Sequence, residues 1–184
     1  MAKGRFFGCL AVGEDRAAVS AAAGRPAGWC RERSGGRLIL PMTIKEEIEK
    51  YIAGQPEFKR SDMWTLHRLI LETMPGCKLW FLDGKDSGGK IVSNPNIGYG
   101  LQTMKYAGGK TREFYQIGLS ANTTGISIYI IGFEDKTYLA KTYSKKLGKA
   151  SVSGYCIKFK ALKDIDIGTL EAAIRDGVAA TSEN

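Results

Sequence analysis

Histidine, paired cysteine motifs and long apolar runs are scarce or missing in this chain of 184 residues. It has one histidine, His67, and four cysteines that form no C-x-x-C pair. A Cys/His zinc site would therefore have to collect its ligands from distant segments. No apolar run approaches the roughly 18–20 residues of a membrane-spanning helix. These scarcities argue against zinc-binding and membrane-spanning proteins and favour a cytoplasmic protein with reduced thiols.

A strong charge bias is also missing from most of the chain. The net charge is +8, of which residues 1–41 supply +4 and residues 42–184 supply the rest. The second range mixes twenty Lys/Arg with sixteen Asp/Glu, a balance typical of a solvated mixed-charge surface. A nucleic-acid partner is not expected.

The composition divides the chain at Met42. Residues 1–41 are rich in Ala, Gly and Arg and show no sustained periodicity. The apolar stretch FFGCLAV barely reaches the length of a signal-peptide core before Glu14 and Asp15 interrupt it. We interpret 1–41 as a disordered or non-native extension and 42–184 as a single domain with Met42 as its functional N-terminus.

Four segments have helical patterns. Thr43 and Glu46 form a capping box for the first helix, and Gly54 can end it. The second helix is predicted within RSDMWTLHRLILETM, capped by Ser61 or Asp62. The third is predicted over EDKTYLAKTYSKKLG, and the fourth over IGTLEAAIRDGVA with Asp166 as its cap.

Five segments read as strands: KLWFLD, NIGYGLQTMKY, REFYQIGLS, GISIYIIGF and GYCIKFKAL. The polar stretch DGKDSGGKIVSNPN is predicted to be a long loop after the first strand. The order helix, helix, four strands, helix, strand, helix predicts an α+β fold. We expect an antiparallel sheet of about five strands with helices packed mainly on one face.

Glycines 98 and 100 raise the possibility of a phosphate-binding loop. Such a loop needs its glycines between a strand and the N-terminus of a helix. Here another strand segment follows, so the glycines are predicted to mark a bulge or a close approach to the backbone.

Two groups of polar residues are candidates for chemistry. His67 has no Ser or Cys partner at a recognisable spacing, which favours a structural histidine. Glu46 and Glu49 share a helix face and are weak candidates for binding a hard cation. The alternative interpretation is that these acids only favour the positive N-terminus of the helix.

A cationic strip is predicted near the end of the last strand. Lys158 and Lys160 alternate with apolar residues, so both are expected to face one side. With Lys141, Lys145, Lys146, Lys149 and Lys163 they could bind an acidic ligand or a nucleic-acid backbone, or they could simply be solvated.

Aromatic residues on strands indicate a possible ligand groove on the sheet. Trp80 and Tyr99 flank the long loop, and Tyr106 and Ser120 lie on neighbouring strands. We therefore predict a candidate ligand site formed by Trp80, Tyr99, Tyr106, Ser120, Lys146 and Lys149.

The ordered motifs from about residue 60 to residue 174 resemble the bacterial YdhG-like family, domain of unknown function 1801. They are Arg60-x-Asp62, the Trp80 strand, IGYG, Tyr106, Gly-Leu-Ser at 118–120, IYIIGF, KLGK, CIKFKALKDID and Leu170. The resemblance implies a small cytoplasmic α+β domain that is similar to frataxin in architecture. Some relatives carry an iron-chaperone label. Relatives often have basic residues after Ser120, whereas this chain has Ala-Asn-Thr, and its 83–96 loop looks like an insertion.

The sequence favours a non-enzymatic module that binds a small ligand or a protein, with no cofactor. An iron chaperone of the frataxin type is the first alternative. An unrecognised enzyme using His67, Ser120 or Cys77 is the second.

Overall fold

The structure is a computed structural model, and it describes residues 42–105 and 109–182. The predicted extension 1–41 and the candidate Tyr106 lie outside the described residues. Within the described ranges, no helix is both long enough and apolar enough to cross a bilayer.

The described residues form four α-helices, eight strands and one 3-10 turn. The helices are α1 (Ile44–Ala53), α2 (Glu57–Thr73), α3 (Tyr138–Tyr143) and α4 (Ile167–Ser182). The first four strands are β1 (Leu79–Leu82), β2 (Asn96–Tyr99), β3 (Gln102–Lys105) and β4 (Thr111–Phe114). The others are β5 (Ile117–Asn122), β6 (Gly125–Ile130), β7 (Ala150–Ser153) and β8 (Cys156–Phe159), and the 3-10 turn spans Leu162–Asp164.

The fold is α+β, as predicted, with four helices packed on an antiparallel sheet. The main sheet has six strands in the order β1-β2-β5-β6-β8-β7, one more than expected. The extra strand is β7, whose sequence ASVS is too short and too polar to stand out in the chain. β3 and β4 form a separate two-stranded sheet.

Two predicted strands are each divided into two. The chain turns at Gly100, whose φ of 79° is available to glycine, so NIGYGLQTMKY becomes β2 and β3 in different sheets. REFYQIGLS likewise becomes β4 and β5. The prediction of continuous strands was wrong. The alternation of apolar and polar residues continues through each turn, although the segments before and after the turn pair with different strands.

One face of the main sheet forms the hydrophobic core. A row of four cross-strand partners crosses this face from β2 to β8, and each is 0% exposed: Ile97, Leu119, Ile128 and Ile157. The helices bury their apolar sides on this face, and burial of this apolar surface drives the packing. The main helical contributors are Ile48, Ile52, Met63, Leu66, Ile70, Leu170 and Ile174.

The opposite face carries a tyrosine lying on two glycines. Gly98 and Gly118 are direct cross-strand partners. A Cβ at Gly98 would lie 2.6 Å from Cδ1 of Tyr115, and a Cβ at Gly118 would lie 2.7 Å from its Cε2. The Tyr115 ring therefore needs both glycines. The predicted close approach at Gly98 is confirmed.

The ends of α1 and α4 follow the predicted capping. The amide of Glu46 donates to Oγ1 of Thr43 at 3.3 Å, and the amide of Thr43 donates to Oε2 of Glu46 at 2.7 Å. Gly54 ends α1. At α4, Oδ1 of Asp166 accepts the amide of Thr169 at 2.6 Å.

The predicted limits of α2 and α3 need correction. α2 begins at Glu57 after Pro56, so neither Ser61 nor Asp62 is its cap. Asp62 instead accepts the amide of Leu162 through Oδ2 at 2.8 Å. α3 covers only the middle of the predicted third helix.

Candidate functional site

A concave surface of about 370 Å³ lies at the open end of the β7–β8 hairpin. We call it the hairpin concavity. Its lining residues are Thr124, Lys149, Ser151, Lys158, Phe159, Lys160 and Asp164. They come from the β5–β6 turn, the hairpin and the 3-10 turn.

The hairpin register brings the lysines together. In β8, Ile157 and Phe159 are buried while Lys158 and the following Lys160 are exposed, as the alternation predicted. Lys158 is the cross-strand partner of Ser151. Ala150 and Phe159 are also cross-strand partners. Lys149 directly precedes Ala150, and Lys160 directly follows Phe159. The two lysines therefore lie at the same end of the hairpin.

The ammonium groups of Lys149, Lys158 and Lys160 form no ion pair with a described residue. Among the described residues, the cations that form ion pairs are Arg60, Lys78, Lys85, Lys141 and Arg175. Asp164 is the one acidic residue of the lining. Like charges close together on neighbouring strands repel each other. The concavity therefore holds uncompensated positive charge.

A fourth lysine holds the turn that forms one wall. Lys59 of α2 is only 7% exposed, and its ammonium donates to the carbonyl oxygens of Asn122 and, at 3.3 Å, of Thr123. Nζ of Lys59 has no carboxylate partner within the described ranges. The next residue, Thr124, lines the concavity.

Sequence reasoning missed Lys59 because a lysine early in a helix is usually exposed.

The same helix holds the opposite wall through Asp62. Its hydrogen bond to the amide of Leu162 fixes the start of the 3-10 turn that ends at Asp164. The backbone of that turn also reaches the hairpin, because the carbonyl of Asp164 accepts the amide of Lys149 at 2.9 Å. α2 thus positions both walls of the hairpin concavity.

The structure does not bring Trp80 and Tyr99 together. Trp80 pairs with Gly98 and Tyr99 pairs with Leu79, so the two rings lie on opposite faces of the sheet. The indole of Trp80 donates to the carbonyl of Gly100 at 2.7 Å. Tyr99 is 0% exposed in the core.

The other predicted ligand residues are also dispersed. Ser120 is 2% exposed and donates to the carbonyl of Pro95 at 2.7 Å. Lys146 is exposed after α3 and does not line the hairpin concavity. Lys149 does line it. Lys149 is therefore the one described member of the predicted ligand groove on this surface, where it lies with Lys158 and Lys160 of the predicted cationic strip.

His67 is half-buried and contacts Tyr99. Its Nδ1 lies 2.6 Å from the phenolic oxygen of Tyr99. Burial raises the pKa of Tyr99 well above its usual value, so the phenol keeps its proton. Burial lowers the pKa of His67, which the charge of Glu49 partly opposes. A neutral imidazole that accepts the phenol's hydrogen bond satisfies both groups.

The residues of the enzyme hypothesis do not form a nucleophile–base pair. His67 packs on the core face with Tyr99, whereas Ser120 lies on the opposite face as the partner of Ser127. Burial raises the pKa of Cys77, which favours the unreactive thiol.

The metal candidates Glu46 and Glu49 do not form a ligand cluster. Glu46 is engaged by Thr43 in the capping box, and hydrogen bonds from Thr43 lower the pKa of its carboxyl. Among residues 42–105 and 109–182, no three His, Cys, Asp or Glu side chains are grouped to hold a metal ion.

Comparison of the chain with protein-family models, curated proteins and solved structures found no match. The fold defines the class, an α+β domain with helices packed on an antiparallel sheet. Membership of the YdhG-like family stays a prediction from the motifs.

Proposed function

We propose that this domain is a non-enzymatic binding module for a small anionic ligand and that the hairpin concavity is its binding site. One observation carries the proposal: Lys149, Lys158 and Lys160 line one concave surface, and none of them forms an ion pair with a described residue. A volume of about 370 Å³ is within the range of small-molecule sites. An anion there would relieve the repulsion between the lysines.

The chemistry of the lining supports binding rather than catalysis. The lining residues are three lysines, a serine, a threonine, an aspartate and Phe159, whose ring faces the core, with no histidine or cysteine. Activation of a serine or threonine nucleophile needs an adjacent base. The chain's single histidine is engaged by Tyr99.

The proposal includes membership of the YdhG-like family and a cytoplasmic location. The order of the motifs and the α+β architecture support the family assignment. Cys77 lies in the described ranges as a free thiol, which suits a reducing compartment.

Anion titrations of the full chain followed by NMR test this function. Citrate, sulfate and inorganic phosphate would be added separately to the wild type and to Lys149→Ala/Lys160→Ala. We expect at least one anion to shift the amide signals of residues 124, 149–151 and 158–164, and the variant to lose this response.

Lys136→Ala/Lys145→Ala is the matched control. It removes the same charge from two exposed lysines outside the lining, so its response should equal that of the wild type. Binding that survives in Lys149→Ala/Lys160→Ala, or no binding of any of the three anions, would contradict the proposed function.

A further inference from the structure

We infer that the ligand of the hairpin concavity is a phosphorylated small molecule whose phosphate monoester binds as a dianion. This inference rests on the proposed function and narrows it to one class of anion. Four features support it: the number of charges, the available hydrogen-bond donors, the buried Lys59 and the absence of an exposed aromatic ring in the lining.

The charges of the lining match a dianion. Lys149, Lys158 and Lys160 bring three positive charges and Asp164 brings one negative charge. Two positive charges remain to be neutralised. A phosphate monoester carries a charge of about −1.5 to −2 at neutral pH, whereas a sulfate ester or a single carboxylate carries −1.

The free donors also suit a phosphate. Neither the three ammonium groups nor the hydroxyl of Ser151 has a hydrogen-bond partner among the described residues. The hydroxyl of Thr124 already donates to Oδ1 of Asn122 at 2.9 Å, so it is not a free donor. A phosphate monoester presents three terminal oxygens that accept charge-assisted hydrogen bonds. Three ammonium groups and one hydroxyl are sufficient for these oxygens.

Lys59 adds positive charge to the wall without lining it. Its ammonium is buried on the carbonyl oxygens of Asn122 and Thr123, directly before the wall residue Thr124. A buried charge is screened less by solvent than an exposed one. Its field therefore favours an anion with two charges more than an anion with one.

The lining favours a small molecule over a nucleic acid. Proteins that bind single-stranded nucleic acid combine basic residues with exposed aromatic rings on which bases stack. The aromatic residue here, Phe159, is 3% exposed and pairs with Ile126 on the core side of β8. Tyr155 lies at the turn end of the hairpin, away from Lys149 and Lys160.

The test compares three methyl-bearing anions that differ in head group: methyl phosphate, methyl sulfate and acetate. NMR titrations of the full chain at pH 7.5 give a Kd for each. We expect methyl phosphate to bind about tenfold more tightly than methyl sulfate, because the second charge interacts with the unpaired lysines.

Two variants test whether the preference for methyl phosphate over methyl sulfate arises at the hairpin concavity. In Lys149→Ala/Lys160→Ala the ratio of the two Kd values should fall to about one. Ser151→Ala should weaken methyl phosphate by about threefold to tenfold, since it removes one donor to the charged oxygens. Lys136→Ala/Lys145→Ala should leave the ratio unchanged.

The outcomes separate this inference from the proposed function. If methyl sulfate or acetate binds the hairpin concavity as tightly as methyl phosphate, the phosphate inference fails and anion binding stands. If all three fail to bind, the phosphate inference is also overturned, and citrate, sulfate and inorganic phosphate decide the proposed function. A thymidine oligonucleotide that binds more tightly than methyl phosphate at the same residues would assign the surface to nucleic acid instead.

Discussion

The phenolic oxygen of Tyr99 lies 2.6 Å from Nδ1 of His67, and this contact determines the protonation of both side chains. Because Tyr99 is 0% exposed, its hydroxyl needs an acceptor within the protein. Nδ1 can accept only when it carries no proton. A neutral His67 with its proton on Nε2 meets this requirement.

Acidification is expected to destabilise the domain through His67. Burial lowers its pKa in the folded state, so below the ordinary histidine value of about 6.5 the unfolded chain binds the proton first. The contribution of His67 is fully present above about pH 6.5 and is lost as the pH falls through the lower folded value. Urea unfolding at pH 7.5, 6.5 and 5.5 measures this loss.

NMR can assign that titration without ambiguity because His67 is the chain's single histidine. In Tyr99→Phe the imidazole loses the hydrogen bond from the phenol, but burial still lowers its pKa, so the pKa of His67 should stay below 6.5. Loss of the hydrogen bond should lower the free energy of unfolding by about 1–2 kcal/mol. A wild-type His67 that titrates at or above 6.5 would contradict this account.

Gly98→Ala is expected to lower the free energy of unfolding by about 1–3 kcal/mol. The new methyl group would lie 2.6 Å from Cδ1 of Tyr115, and a ring wedged against the sheet cannot move away without cost. Thermal unfolding of Gly98→Ala and of Gly168→Ala checks this. The nearest atom to a Cβ at Gly168 is 3.6 Å away, so that control should be neutral or slightly stabilising.

A double-mutant cycle isolates the contact. In a Tyr115→Ala background the ring is gone, so adding Gly98→Ala should cost much less than it does in the wild type. Equal costs in the two backgrounds would show that Tyr115 does not cause the effect.

Lys59→Met is expected to lower the free energy of unfolding by about 1–3 kcal/mol, because two carbonyl oxygens of the β5–β6 turn lose a charged donor. Methionine keeps most of the buried stem of the side chain. Chemical denaturation measures the change. The control Lys45→Met, at an exposed position on α1, should stay within about 0.5 kcal/mol. A more stable Lys59→Met would mean that burying the ammonium costs more than its hydrogen bonds return.

Iron(II) is not expected to bind through Glu46 and Glu49. Glu46 is engaged in the capping box, and two carboxylates without a third ligand hold a metal weakly. Anaerobic calorimetry of the wild type beside Glu46→Ala/Glu49→Ala tests the iron-chaperone alternative. The variant should have a lower Tm, since it loses part of the cap, but the same small response to iron. Micromolar binding that disappears in the variant would establish the chaperone hypothesis.

Local signals in the sequence predicted local structure correctly. The capping box needs only Thr43 and Glu46 at the right spacing, and Asp166 at the start of α4 is a similar case. The alternation in β8 gave the outward direction of Lys158 and Lys160 because side chains alternate strictly along a strand.

Contacts between residues far apart in the chain could not be predicted from such local patterns. Whether Trp80 and Tyr99 share a face depends on the register of β1 against β2, and a shift of one residue reverses the answer. The aromatic groove depended on that register. Asp62 has the sequence features of a cap, yet its partner is the amide of Leu162. No local pattern identifies such a partner.

The hydrogen bond from Leu162 to Asp62 joins positions 100 residues apart in the chain. Closing a loop of that length has an entropic cost that is recovered only when most of the intervening structure is present. We expect such a contact to form late in folding, so its removal should accelerate unfolding and leave the folding rate nearly unchanged. The β7–β8 hairpin can form early from neighbouring residues, but the wall carrying Asp164 is in place only after this last step. The hairpin concavity is therefore complete only while the whole domain stays folded.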